Sequence, residues 1–316
     1  MIKVCLLLVI GFILLVKASD VFVDAISSIA ANAKMSKMMI ALTVAAFGTC
    51  APELAISFNS LASGNGNIAL ANVIGSNIVN ILLIVGIAAV VAPIKVKNSV
   101  TKKELPILVL ITSMFAISLT ANYVMKSDFI LDRLCGVLFV LFFISFIAYI
   151  ISVVKAKQGV LERSNAKYNL LVSIILAIVC CTVIIFASDL VVNNAKSLAS
   201  MLNISEKIIT MTIVVIGTSL PEMTMTIVAA KKGEFDIALG NIIGTNIFNI
   251  GIVLGLPLII FGGFTTDSFN LIDILAVHIA AFTLYFFAKN DKVLSRKEGI
   301  IMVCLFLIYY IYIFLQ

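Results

Sequence analysis

Gly48-Thr49-Cys50-Ala51-Pro52-Glu53 places a carboxylate and a proline inside a long apolar stretch, and the chain holds a second copy, Gly217-Thr218-Ser219-Leu220-Pro221-Glu222. The difference in residue number between the copies is constant, because 217 − 48, 244 − 75 and 249 − 80 are equal. This constant difference is the repeat offset. Laid over each other, residues 48–86 and 217–255 share about 16 identical pairs in about 39 positions. Similarity of this density indicates an internal duplication whose unit is half of the chain.

The composition excludes a soluble domain. Hydrophobic residues make up 62% of the 316 residues and charged residues only 12%, whereas a soluble domain carries roughly a quarter charged residues. We therefore predict an all-α integral membrane protein. A chain of 316 residues accommodates on the order of ten spans of about 20 residues, which leaves no room for a soluble catalytic domain.

Turn residues and charge clusters divide the chain into two halves of five predicted spans each. The first half is residues 1–154, the second is residues 168–316, and a short polar linker, residues 155–167, joins them. The predicted spans are residues 3–33, a span that carries Glu53 and ends near residue 63, then 68–92, 105–121, 132–154, 168–199, a span that carries Glu222 and ends near residue 231, then 237–261, 271–288 and 299–315.

Basic residues collect on one side of this arrangement. That side holds Lys34, Lys37, Lys95, Lys97, Lys102, Lys103, Lys155, Lys157, Arg163, Lys167, Lys231, Lys232, Lys289, Lys292, Arg296 and Lys297. The other side holds only Lys3, Lys126, Arg133, Lys196 and Lys207. By the positive-inside rule the first side, with the linker, is cytoplasmic and both termini lie outside. The net charge of +6 therefore reflects membrane topology and does not indicate a nucleic-acid partner.

An odd number of spans per half means that the two halves enter the membrane in opposite senses. Such an inverted-topology repeat is typical of secondary transporters, with the substrate site near the midplane where the halves meet. Glu53 and Glu222 should approach that region from opposite leaflets. A carboxylate in hydrocarbon costs about 2.5 kcal/mol or more, so two at equivalent positions favour a function over the alternative of two structural, hydrogen-bonded acids.

The prolines beside the two acids predict broken helices. Pro52 and Pro221 lack an amide hydrogen, and their rings clash with the carbonyl groups four residues earlier, those of Gly48 and Gly217. We therefore expect both helices to break and to leave carbonyl oxygens facing inward, which is tolerated at membrane depth only where the backbone lines a cavity.

Further oxygen donors lie at helical spacing around each acid. The hydroxyl or thiol residues four and three positions before each acid share its helix face, and the next span of each half adds a hydroxyl and an amide four positions apart. The candidate ligands are therefore Glu53, Thr49, Cys50, Ser76, Asn80, Glu222, Thr218, Ser219, Thr245 and Asn249. Oxygen ligands in this number suit Ca²⁺, which takes about 6 to 8, and Na⁺ would use the same atoms.

The charge of the site predicts exchange. Two ionised glutamates neutralise one Ca²⁺ or about two Na⁺, so a site without either cation carries an electrostatic cost that loading relieves. A site that is stable only when loaded favours exchange of one cation for the other over a leak.

The doubled motif, Gly-Thr-x-x-Pro-Glu followed by Gly-(Ser/Thr)-Asn-Ile-x-Asn, resembles the α-repeats of the sodium/calcium exchanger branch of the Ca²⁺/cation antiporter superfamily. The resemblance covers essentially the whole chain. It implies a ten-helix fold in which spans 2, 3, 7 and 8 form the ion-binding core while the long spans 1 and 6 slide across it for alternating access. It also implies that Glu53 and Glu222 are shared Ca²⁺/Na⁺ ligands, helped by Thr49, Ser76, Asn80, Thr218, Ser219 and Thr245.

The chain departs from the family pattern at two positions. Cys50 stands where the family usually has serine, and Asn249 stands where many exchangers have aspartate. With only two carboxylates in the core, the family's stoichiometry and coupling ion do not carry over to this chain. The linker of about a dozen residues also lacks the long regulatory loop of animal exchangers, so no attached Ca²⁺-sensing domain is expected.

We predict from these residues a Ca²⁺/Na⁺ antiporter in the cytoplasmic membrane, without enzymatic activity, resident cofactor or obligatory protein partner. Its partners are Ca²⁺, Na⁺ and the lipid bilayer, with H⁺ or K⁺ as further candidate ions. Three alternatives stay open: Ca²⁺/H⁺ exchange, an intramembrane hydrolase that uses the two acids as an acid/base pair, and a passive channel.

Several other polar residues are given structural or open roles. Asp20 and Asp189 occupy equivalent places in spans 1 and 6, where they either line the ion pathway or hydrogen-bond to a helix end. His278 stands alone in an apolar stretch, and a structural role is predicted for it. The six cysteines all lie in apolar segments, which argues against disulfides and a zinc site.

Overall fold

The protein is almost entirely helical. A computed structural model describes residues 2–124, 131–156, 166–202, 215–264 and 271–315. Within these residues the extended segments are β1, Ile94–Lys95, and β2, Val293–Leu294, which pair antiparallel, and a bridge between Leu131 and Phe264. Both pairings join a loop of the first half to a loop of the second half.

The helices follow the order of the predicted spans. Those of the first half are α1 (Ile2–Asn32), α2 (Lys37–Thr49), α3 (Ala51–Ala62), α4 (Gly66–Val91), a π-helical turn (Val100–Glu104) continued by α5 (Leu105–Val124), and α6 (Arg133–Ala156). Those of the second half are α7 (Leu170–Met201), α8 (Val215–Thr218), α9 (Leu220–Lys231), α10 (Phe235–Phe261), α11 (Leu271–Asn290) and α12 (Arg296–Leu315).

The chain is a multi-pass membrane protein. In the described residues, seven helices are long and apolar enough to cross a bilayer, and the bent pair α2/α3 adds an eighth if it forms one span. The predicted count of ten is therefore not reached by this measure. One reason is that residues 203–214, which precede the span that carries Glu222, lie outside the described residues.

Helices α4 and α10 form the centre of the molecule. In each of them 83% of the most apolar stretch is buried against other helices, compared with 33% in α1 and 17% in α6. The outer helices expose large apolar side chains such as Ile117 and Phe186, as expected of surfaces that face hydrocarbon. The two central helices carry the second part of each sequence motif, so the motifs lie at the core.

Close packing of α10 on α2 depends on two glycines four residues apart. A Cβ atom at Gly240 would lie 2.7 Å from Ala41 Cβ, and one at Gly244 would lie 2.5 Å from the Leu42 carbonyl oxygen. Small residues at this spacing let membrane helices approach until their backbones touch. The contact joins the two halves beside the first motif.

Helices α4 and α10 each contain a π-helical segment at the end of the sequence motif. The segments are Val79–Val85 and Asn249–Leu254, and they correspond to each other at the repeat offset. A π-helical turn widens the helix and redirects side chains, and it is frequent at functional sites. Sequence periodicity did not predict these segments.

A second pair of buried acids was missed by the sequence analysis. Glu104 and Asp273 also correspond at the repeat offset, and both are buried. Each accepts a hydrogen bond from a tyrosine of the following helix, Tyr149 at 2.9 Å and Tyr309 at 3.0 Å. These acids tie the start of α5 to α6 and α11 to α12.

An open groove of about 950 Å³ lies between α5 and α11. Its walls are apolar apart from His278 and two threonines, so it offers no ligand set for a cation. His278 Nε2 is 3.0 Å from Ser113 Oγ, a contact that joins the two helices. This contact agrees with the predicted structural role of His278.

Candidate ion-binding site

Glu53 and Glu222 are completely buried in the protein interior. Each lies in the first turn of a helix, α3 and α9 respectively, where the helix dipole favours negative charge. The two carboxyl groups are close enough to interact electrostatically. All four carboxylate oxygens lack a hydrogen-bond partner within the described residues, so they are available to a cation.

The helices break at the predicted places. Cys50, between α2 and α3, has φ −77° and ψ 2°, and the equivalent Ser219, between α8 and α9, has φ −87° and ψ 9°. The bend between α2 and α3 is 51°. Pro52 and Pro221 follow within the first turn of the next helix, where a missing amide hydrogen costs nothing. The predicted helix breaks are confirmed in both copies.

The carbonyl group freed at the second break has a hydrogen-bond donor. The Gly217 oxygen accepts a hydrogen bond of 2.9 Å from Ser188 Oγ of α7. A buried carbonyl that loses its helical donor takes another donor when one lies nearby, and the inward orientation expected of this group stays a prediction. At the first break, α7 also packs closely on Gly48, where a Cβ would lie 2.9 Å from Cys181 Sγ.

The residues beside the acids belong to one cluster. Cys50 lies close to both carboxylates and to Thr245, and Thr49 lies beside Glu222. Thr49 Oγ1 is 3.3 Å from the carbonyl oxygens of Ala45 and Ala46 and 3.5 Å from Asn241 Oδ1. Thr49 therefore links the first motif to the acid of the second.

The remaining candidate hydroxyls differ in burial. Ser76, Ser219 and Thr245 are fully buried, and within the described residues their hydroxyl oxygens have no hydrogen-bond partner. Thr218 is only half-buried, unlike its repeat equivalent Thr49. The two halves are therefore not identical around the break.

Four buried asparagines connect α4 to α10. Asn80 Nδ2 donates to Asn246 Oδ1 at 3.1 Å, and Asn249 Nδ2 donates to Asn77 Oδ1 at 3.4 Å. The repeat relates these two bonds, since Asn80 corresponds to Asn249 and Asn77 to Asn246 at the repeat offset. The side-chain oxygens of Asn80 and Asn249 have no partner among the described residues.

Two further repeat-related asparagines were missed by the sequence reasoning. Asn72 Nδ2 donates to the Glu53 carbonyl oxygen and to Ser57 Oγ, both at 3.0 Å. Its equivalent, Asn241, donates to Thr226 at 3.3 Å. Identity at the repeat offset could have identified Asn72 and Asn241. They were not predicted because neither lies at helical spacing from an acid.

The cluster offers oxygen atoms of the kind that hard cations prefer. Atoms without a partner include four carboxylate oxygens, three hydroxyl oxygens and two amide oxygens. In the described part of the chain, no three histidine, cysteine or acidic side chains group in a way that could hold a metal ion. A cation bound here would therefore need the neutral oxygens as well as the two acids, which suits Ca²⁺ or Na⁺ and not zinc.

Comparisons with known proteins identify the family of the chain. A family model described as "Sodium/calcium exchanger protein" matches residues 3–152 and 172–315. The inner membrane protein YrbG of Escherichia coli (strain K12) is 36% identical over 262 residues, which cover 81% of this chain and 80% of YrbG. The sodium/calcium exchanger MaX1 of Methanosarcina acetivorans is 29% identical over 349 residues, which cover 98% of each chain.

A solved structure has a similar fold over nearly the whole chain. The sodium-calcium exchanger NCX_Mj, soaked with Na⁺ and Sr²⁺, matches with a TM-score of 0.82 and 30% sequence identity, over 98% of both chains. Taken with the buried acids between broken helices, this fold defines a membrane cation antiporter. Since the family model covers most of the chain, the chain belongs to the sodium/calcium exchanger protein family.

Proposed function

We propose that this protein exchanges Ca²⁺ for Na⁺ across the cytoplasmic membrane by alternating access. The proposal depends chiefly on the two buried carboxylates, whose four oxygens have no partner among the described residues. Their two charges match one Ca²⁺ or about two Na⁺. Either cation relieves the same electrostatic cost. The change between the two access states is therefore disfavoured while the site is empty, and one ion is exchanged for the other.

The proposed ligands come from both halves. Glu53 and Glu222 would supply the charge, and the unpartnered neutral oxygens would complete the shell. Those oxygens belong to Ser76, Asn80, Ser219, Thr245 and Asn249. Thr49, Cys50 and Thr218 would line the site. Ca²⁺ and Na⁺ are cargo in this proposal, so no resident cofactor is needed.

The proposed topology has ten spans in two inverted repeats, with both termini outside the cytoplasm. The repeat offset relates the broken helices, the π-helical segments and the buried acids of the two halves. The distribution of basic residues supports the orientation. In this arrangement the end of α9 and the start of α7 lie on the cytoplasmic side.

The contacts of the long helices α1 and α7 support alternating access. Helix α1 packs along α9, and Ser19 Oγ is 2.9 Å from Thr224 Oγ1. The repeat-equivalent contact, between α7 and α3, is not formed to a comparable extent in the described residues. Since α9 leads to the cytoplasm in the proposed topology, we infer that the α1–α9 contact closes the cytoplasmic side.

Ion pairs reinforce the α1–α9 contact. Lys232 Nζ, at the end of α9, is 2.6 Å from Asp24 and 3.1 Å from Asp20 on α1. The repeat equivalents of Asp24 and Lys232 are Asn193 and Ser63, which cannot form an ion pair. Asp20 therefore has an ionic partner at the end of α9, and both Asp20 and its equivalent Asp189 are exposed.

Replacing Lys232 by methionine should weaken the cytoplasmic closure. The pair with Asp24 is partly buried, with side-chain exposures of 24% and 20%, and a pair of this kind is worth about 1 kcal/mol. We expect the apparent KM for external Ca²⁺ to rise about threefold to fivefold. The matched control is Lys231→Met, since exposed Lys231 makes none of the ion pairs found in the described residues. Equal KM values for both variants would contradict this assignment.

A flux assay tests the proposed function. Purified protein is reconstituted in sealed vesicles, and ⁴⁵Ca²⁺ uptake is driven by an outward Na⁺ gradient or by a pH gradient. We expect saturable uptake that requires Na⁺. Uptake driven only by the pH gradient would favour Ca²⁺/H⁺ exchange, a candidate because an unpartnered buried carboxylate readily binds a proton. Uptake without any counter-ion would indicate a channel, and no uptake would remove the proposal.

The hydrolase alternative has less support. An acid/base pair needs two carboxyl groups in different environments so that one is protonated and the other ionised. Here both acids occupy the same place in a broken helix, and both are fully buried. Two asparagine pairs that correspond at the repeat offset also link α4 to α10. This symmetry suits coordination of a cation better than proton transfer.

A further inference from the structure

We propose that Asn77 and Asn246 are positioning residues, which hold the amide groups of Asn249 and Asn80 with their oxygens available to the ion. This inference rests on the proposed function, because it assigns a role around the same cation site. Neither Asn77 nor Asn246 is among the ligands predicted from the sequence.

The hydrogen bonds run crosswise between the halves. Asn246 of α10 accepts from Asn80 of α4 at 3.1 Å, and Asn77 of α4 accepts from Asn249 of α10 at 3.4 Å. All four side chains are at most 1% exposed. Each proposed amide ligand is therefore oriented by a residue of the other half.

The chemistry of paired amides gives each bond a direction. An amide group carries one acceptor oxygen and one donor NH₂, so a pair that shares one hydrogen bond leaves an oxygen on one partner and an NH₂ on the other. In both pairs the unpartnered oxygen belongs to Asn80 or Asn249, and the unpartnered NH₂ belongs to Asn246 or Asn77. A cation attracts the oxygen and repels the NH₂, so this direction suits a cation site.

The partner also prevents the ligand amide from turning around. If Asn249 alone were rotated by half a turn, its oxygen would face the Asn77 oxygen, and two acceptors at this distance repel each other. Its NH₂ would then point where the oxygen had been. Burial raises the free energy of the rotated arrangement, because a buried polar group without a hydrogen-bond partner is destabilising. Asn77 and Asn246 therefore act on the ion through their neighbours.

Single substitutions give the first test. Asn77→Leu removes the acceptor while keeping a similar volume, and we expect it to weaken Ca²⁺ binding about tenfold. Asn77→Asp keeps the acceptor, and its Ca²⁺ affinity should not fall. Asn193→Leu, at an exposed asparagine of α7, serves as the matched control. The dissociation constants are measured by titration calorimetry with CaCl₂ on purified protein, with Tm as the check of folding.

Double substitutions test the crosswise pattern. In an Asn249→Ala background, Asn77→Leu should change the Ca²⁺ dissociation constant less than about twofold, because its partner is gone. In an Asn80→Ala background, the same change should still cost about tenfold. The reverse pattern is expected for Asn246→Leu. A purely structural role for Asn77 would not depend on which ligand had been removed.

The outcomes separate this inference from the proposed function. The positioning role would be wrong if Asn77→Leu and Asn249→Ala had additive effects on the Ca²⁺ dissociation constant, or if Asn77→Leu and Asn77→Asp lost equal affinity. Neither result would contradict Ca²⁺/Na⁺ exchange by the wild-type protein. If the wild-type protein bound neither Ca²⁺ nor Na⁺, the proposed function would fail and this inference with it. Should Asn77→Leu not fold, the same comparison is made with Asn77→Ser and Asn77→Asp.

Discussion

Replacing Glu53 or Glu222 by glutamine should abolish Na⁺-driven Ca²⁺ uptake, while the protein still folds. Glutamine has the same shape but no charge, so a divalent cation would meet one negative charge where it needs two. Loss of one partner from a buried charge cluster costs about 3 to 5 kcal/mol, which corresponds to a loss of affinity of at least about a hundredfold. The measurement is ⁴⁵Ca²⁺ uptake in vesicles, with uptake by empty vesicles as the baseline.

A matched control distinguishes a ligand from any buried acid. Glu104 is also buried, but it accepts a hydrogen bond from Tyr149 and lies outside the motif. Glutamine at this position keeps an acceptor, so Glu104→Gln should transport at close to the wild-type rate. If the Glu53 and Glu222 variants transported as well as this control, the proposed ion site would be wrong.

Replacing Gly244 by valine should eliminate the folded protein. A Cβ atom there would lie 2.5 Å from the carbonyl oxygen and 2.8 Å from the Cα of Leu42. Backbone atoms cannot rotate away as a side chain can, so α2 and α10 would have to separate. That separation would break the close contact between the halves and move Thr49 away from Glu222. We expect no monodisperse peak in size-exclusion chromatography and no stabilisation by Ca²⁺.

The control for this prediction adds methyl groups where there is space. Ala148 lies exposed on α6, on a helix of which little is buried, and Ala148→Val should leave the elution profile and Tm unchanged. Gly244→Ala should be intermediate, since overpacking by one methyl group costs about 1 to 3 kcal/mol. A Gly244→Val protein with wild-type Tm would show that α2 and α10 do not pack as described.

Much of the candidate site could be predicted because the duplication places the same residue types at equivalent positions in both halves. The repeat offset relates two acids, two prolines and the glycines around them. Elementary chemistry predicts a structural effect of each proline and each acid. Proline must interrupt the helix, and a buried carboxylate needs a cation, a proton or a donor. The broken helices and the buried, unpartnered acids follow from these rules.

Other features depend on contacts between distant parts of the chain. Asn72 and Asn241 are identical in the two copies, but only packing shows that Asn72 reaches the Glu53 backbone and Ser57. Proline geometry predicts that the Gly217 oxygen loses its helical donor, and only packing shows that Ser188 of α7 donates to it instead. The two bonded residues belong to different helices, and helical spacing carries no information on such a bond.

The sequence by itself determined the membrane class, the duplication, the positions of the helix breaks and the identity of the two buried acids. These properties are local or repetitive, since they arise from hydropathy, from proline geometry and from a constant offset. Only the tertiary structure decided which asparagine orients which, which carbonyl is already taken, and which long helix is fastened by ion pairs to α9. Those properties depend on how one half packs against the other, and the free energy of that packing is shared among side chains far apart in the chain.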